Sequence, residues 1–131
     1  MPLRYPGHPD ADQVRTKLAT AVQSARAGLS AVRTAAVAGQ AERDGRVFVP
    51  YLSTVLDDGL STVAGAQQRL LGEAPPDDAT RVVRDQLVPL LAEAAQRIGD
   101  LSGAGDAELP RLVDELRLVG DRLADFVARY W

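Results

Sequence analysis

A chain of 131 residues is long enough to bury one core without disulfides or metals to staple it. Its 46% hydrophobic and 25% charged residues suit a folded domain, and its net charge of −3 gives no electrostatic reason to expect a nucleic acid or an anionic membrane as partner. With no cysteine, disulfides, thiol nucleophiles and thiolate metal sites are excluded. No apolar run approaches transmembrane length and Met1–Pro6 holds no apolar signal core, so a cytoplasmic location is the default expectation.

Residues 1–9 contain Pro2, Pro6, Gly7 and Pro9, which block a helix and favour an extended arm. A first helix is expected from about residue 10 to residue 38, with Asp10 or Asp12 at its positive end and Gly39 as its stop. Its apolar stripe is Val14, Leu18, Val22, Ala25, Leu29, Val32 and Ala36. Nine alanines lie between Ala11 and Ala38, and Ala21, Gly28 and Ala35 recur every seven residues beside the stripe. That pattern predicts a thin helix that neighbours approach closely.

Gln40 to Gly45 reads as a turn. Asp44 is the best cap for a second helix over 44–72, with the alternative that Pro50 opens it. The stripe Phe48, Leu52, Val55, Gly59, Val63, Ala66 and Leu70 is helical in either case. Pro75-Pro76 then breaks the chain, and Asp77 or Asp78 caps a third helix over 77–101. That helix carries Val83, Leu87, Leu90, Leu91, Ala94, Ile98 and Leu101. Pro89 in its interior leaves the Asp85 carbonyl without its usual donor, which predicts a kink. The fourth helix, 106–131, is capped by Asp106 and tolerates Pro110 in its first turn. Leu109, Leu112, Leu116, Val119, Leu123, Phe126 and Tyr130 step by threes and fours into one continuous seam, the clearest periodicity in the chain.

Four helices of about 25 residues, each about 37 Å long, joined by short turns, predict an all-α, up-down-up-down antiparallel four-helix bundle as a single domain. The extended N-terminal arm lies outside it. Tyr5 in that arm is expected to pack on Tyr130 or Trp131, because both termini fall at one end of the bundle.

The chemistry such bundles often carry is missing. A di-iron centre needs inward glutamates and two Glu-x-x-His steps, but His8 in the arm is the one histidine, and the five glutamates fall in turns or on polar faces. No metal, haem or other cofactor is expected, and no catalytic triad or phosphate-binding glycine loop can be assembled. Charges pair along helix faces instead: Arg81–Asp85, Glu93–Arg97, Arg111–Glu115, Arg117–Asp121 and Asp125–Arg129 are each four apart, worth about 0.2–0.5 kcal/mol per pair.

Two features stand out from solvated faces and a plain core. Leu118 points about 180° from the seam of its helix, among Arg111, Arg122 and Arg129, a candidate interface anchor rimmed by arginines. Gly28, Gly59, Pro89 and Gly120 each fall near the middle of their helices and would meet at a common waist. There a small apolar pocket can open among Leu29, Val55, Leu87, Leu90, Leu116 and Val119. The leading expectation is therefore a small non-enzymatic protein acting through its surface, by self-association or by binding another protein. A binder of a small apolar ligand at the waist is the alternative. A cofactor-free enzyme using arginines on a small anionic substrate ranks last, since it needs arginines facing inward.

Overall fold

The computed structural model describes residues 11–45, 49–72 and 78–130. They form four antiparallel helices: α1 Ala11–Arg43, α2 Val49–Gly72, α3 Asp78–Leu101 and α4 Leu109–Tyr130. The fold is an all-α, up-down-up-down four-helix bundle, as the periodicity predicts. The N-terminal arm, Phe48 and Trp131 lie outside the described residues, and with them the expected packing of Tyr5 on Tyr130 or Trp131.

The helices do not occupy the corners of a square. Besides its neighbours α2 and α4, α1 meets α3 across the bundle, whereas no Cα of α2 comes within 8 Å of one in α4 among the described residues. The side chains of α1 explain this asymmetry. Ala21, Ala25, Ala31, Ala35, Ala36 and Ala38 are all buried, so α1 presents a backbone-thin surface that α3 can reach. At Gly28 the space a Cβ would need is taken: it would sit 2.7 Å from Leu91 Cδ2 of α3 and 3.6 Å from Leu123 Cδ1 of α4.

Gly39 behaves in the same way, and this corrects its expected role as a stop. The helix runs through it to Arg43, and a Cβ there would lie 2.9 Å from Val113 Cγ2 of α4. Close packing, not termination, is what the missing side chain supplies. The actual end is Gly45, at φ 72°, with Asp44 N–H donating to the Gln40 carbonyl at 3.0 Å and Gly45 N–H to Glu42 at 3.0 Å. Asp44 therefore closes α1, its carboxylate accepting from Gln40 Nε2 at 3.2 Å, and does not cap α2. The second helix begins at Val49 with Pro50 in its first turn, where the missing N–H costs nothing.

Asp106 is likewise displaced from its expected role. It lies in a turn, α4 starts at Leu109, and the Glu108 carbonyl accepts the first helical bond from Leu112 N–H at 3.1 Å. Pro110 stays in the first turn, and Gly103, at φ 79°, ends the chain segment leaving α3. Pro89 is on the exposed side of α3, where water can satisfy the Asp85 carbonyl.

The seams meet in one core. Val83, Leu87, Leu91, Ala94, Ile98 and Leu101 of α3 are buried against Leu109, Leu112, Leu116, Val119, Leu123 and Phe126 of α4, with Tyr130 half-buried at its end. The Phe126 and Tyr130 rings meet tilted, 4.8 Å between centroids and 54° between planes, and Tyr130 Oη donates to Gln86 Oε1 at 2.7 Å.

These contacts make α1 intolerant of added volume. Gly28→Leu is expected to destabilise the fold by about 2–3 kcal/mol through overpacking against Leu91. Gly65→Ala, where the nearest neighbour is Arg69 Nη1 at 3.9 Å, should gain about 0.5–1 kcal/mol from helix propensity. Urea midpoints at unchanged slope measure both.

Candidate interaction surface

The core itself offers no polar machinery. Ser24 and Thr80 are the buried polar residues among those described, and every described arginine is exposed or half-buried. Among the described residues no group of three His, Asp or Glu side chains is placed to hold a metal ion, and no helix is long and apolar enough to cross a membrane.

The ten waist residues do not line one space. Leu87, Leu116 and Val119 are fully packed in the core, and Gly28 is filled by Leu91. Gly59 faces Ile98 of α3 and the Ala31 carbonyl, 3.9 Å from its Cβ position, and Gly120 faces Val32 and Leu29 of α1. Pro89 is exposed. Leu90 borders a groove between α3 and α4, Gly120 one between α1 and α4, and Val55 one between α1 and α2. Glycines placed at one level have let the helices close together there, each filled by a side chain of its neighbour.

The outer face of α4 carries Leu118, 56% exposed as its phase requires. Its surroundings are bound to one another. Arg111 pairs with Glu115 at 3.0 Å, Glu115 with Arg97 of α3 at 3.5 Å, Arg97 with Asp100 at 3.2 Å and Glu93 at 4.0 Å, and Glu93 with Arg122 at 3.1 Å. The Glu115–Arg97 contact is electrostatic only, since Glu115 Oε2 is buried without a hydrogen bond. Two of the candidate interface arginines, Arg111 and Arg122, thus already hold carboxylates, and a partner would have to displace these. Arg129 has no ion-pair partner among the described residues and borders the α3–α4 groove with Phe126.

Two of the five expected four-apart pairs are present, Glu93–Arg97 and Arg111–Glu115. Arg81 turns to Asp78 at 3.5 Å and Arg117 to Asp114 at 3.7 Å, each three apart. Arg117 also donates to Gln40 Oε1 of α1 at 3.4 Å. Asp125 and Arg129 are not joined.

A different face is both apolar and electrically unsatisfied. Between α1 and α2 runs an open groove of about 370 Å³, lined by Arg33, Thr34, Val37, Ala38, Ala41, Tyr51 and Val55. Val37 is 70% exposed and Tyr51 58%, two of the five large hydrophobic side chains left in solvent among the described residues. The groove exists because Ala38 and Ala41 are too small to fill the space beside α2. Arg33 of α1 lines the groove, and Asp58 of α2, exposed, falls one turn beyond Val55 on the same helical face; neither has an ion-pair partner among the described residues.

Of the groove's lining, the apolar stripe of α2 marks Val55, while Val37 and Tyr51 lie off the stripes of their helices. The signal that isolates Leu118, an apolar residue out of phase with its stripe, applies equally to Val37 on α1. Comparison with known proteins adds no further guide: no family model, curated protein or solved structure matches the chain.

The α3–α4 network is expected to matter little to the fold. Glu115→Ala should cost about 1 kcal/mol at low salt, with most of that loss gone in about 1 M NaCl. Leu118→Arg should leave stability within about 0.5 kcal/mol, as surface changes usually do. Urea titrations at the two salt concentrations decide both.

Proposed function

We propose that this protein is a small non-enzymatic interaction module whose working surface is the α1–α2 face. A single observation carries the reading: the groove walled by Val37, Ala38, Ala41, Tyr51 and Val55, with Val37 and Tyr51 held out on its rim. Leaving two such side chains largely in water forgoes about 1–2 kcal/mol of burial each, a cost that covering the face would recover. An aromatic and an aliphatic residue beside an apolar trough are what interface cores are made of, and the charges at the edge supply a polar rim.

The competing surface, around Leu118, is one leucine beside ion pairs that already engage Arg111 and Arg122, leaving Asp125 and Arg129 outside them, and isolated exposed leucines are ordinary on protein surfaces. The α1–α2 face has larger apolar content and charges still free to engage.

Site-specific photo-crosslinking in the full chain separates the two faces. A photoreactive residue at position 37, irradiated in the native cell, is expected to give a covalent protein adduct, and the same residue at position 118 is not. Absence of an adduct from position 37, or equal adducts from both, would refute the assignment.

A further inference from the structure

The α1–α2 face is complementary to itself, and we infer that its occupant is a second copy of this chain, docked about a two-fold axis that runs parallel to the helices along the groove. This rests on the assignment of the face under Proposed function and adds the partner and its orientation.

The register of the two helices supports it. The Cβ position of Gly59 lies 3.9 Å from the Ala31 carbonyl oxygen, so residues 31 and 59 are level. Counting along antiparallel helices from that point sets Arg33 level with residues 57–58 and Val37 level with the stretch between Tyr51 and Val55. On α2, Tyr51, Val55 and Asp58 form one outward stripe; on α1, Arg33, Val37 and Ala41 form the other.

A two-fold axis parallel to the helices and lying in the interface keeps each residue at its level and exchanges the two helices. The α1 of one copy then covers the α2 of the other. Arg33 of each copy meets Asp58 of its mate, and Val37 of each sits between Tyr51 and Val55 of the other. Every contact occurs twice, as an isologous interface requires. Both unpaired charges at the groove gain a partner, and both exposed apolar side chains gain cover. An axis running across the helices would instead stack α1 on α1 and α2 on α2; centred on the groove at Val37, it would set Arg33 opposite Ala41 of the mate. That arrangement gives neither Arg33 nor Asp58 an opposite charge, so charge complementarity favours the parallel axis. The composition of the helices points the same way: α1 holds five basic and two acidic residues, α2 one basic and two acidic. Opposite helices attract and like helices do not.

The test is a charge exchange read by sedimentation of the full chain from about 1 µM to about 1 mM, a range that covers weak and moderate dimers. Both sites are exposed, so the variants keep the fold, which far-ultraviolet circular dichroism checks. Arg33→Asp and Asp58→Arg are each expected to raise the dimer dissociation constant at least about tenfold, because the axis doubles each substitution. Arg33→Asp with Asp58→Arg in one chain restores the pairing and should return the constant to within about threefold of the parent. Val37→Asp should abolish the dimer, since no partner charge answers it.

A chain that stays monomeric over the whole range overturns the second-copy inference, as does a dimer indifferent to the single exchanges or not rescued by the double one. Monomers whose position-37 crosslink captures a different protein would overturn this inference while leaving the interaction face standing. Loss of that crosslink altogether would remove both.

Discussion

The structure depends on how little of α1 projects from its backbone. Ala25, Ala31, Ala35 and Gly28 let three other helices approach one helix at once, and the side chains that fill the gap, Leu91 and Leu123, come from the partners. Close-packed interiors keep few voids, so small residues on one helix must be matched by large ones on its neighbours. Here the match runs one way. α1 donates space and α3 and α4 donate volume, which draws α1 and α3 together across the bundle and holds α2 and α4 apart.

The same poverty of volume shapes the surface. Where α1 faces α3 and α4, leucines reach in and close the gap. Towards α2 near its C-terminal end, Ala38 and Ala41 meet Tyr51 and Val55, and Tyr51 stands outward. No side chain among the described residues fills that trough. The groove is therefore a by-product of the packing rule that builds the core, and it sets exposed apolar surface beside charges that have no ion-pair partner among the described residues. On the opposite side, between α3 and α4, the ion pairs from Arg111 through Glu115, Arg97 and Glu93 to Arg122 close the surface on itself. One face is finished and the other is not.

Much of the fold is legible in the sequence, because amphipathic periodicity is a property of each helix alone. The α4 seam from Leu109 to Tyr130 is buried or half-buried at every position, and the seven-residue recurrence of Ala21, Gly28 and Ala35 marks the close approach. Local signals fail where a residue serves a neighbour that sequence does not display. Gly39 has the composition of a helix stop, yet it gives Val113 room. Asp44 has that of a cap for the following helix, yet it folds back on Gln40. Arg81 and Arg117 each have one carboxylate three residues before and another four after, and both take the N-terminal one, the order that helices favour. The groove is the hardest feature to foresee. It belongs to the space between two helices, and neither helix's own periodicity encodes it; only the out-of-phase Val37 hints at it.

Hydrogen–deuterium exchange of the intact chain at low and high concentration tests most directly whether the unfinished face is where the molecule meets its own kind. Added protection at high concentration should be confined to residues 30–41 and 51–58, with α3 and α4 unchanged. Protection that does not depend on concentration, or that appears around Leu118 on α4, would contradict it.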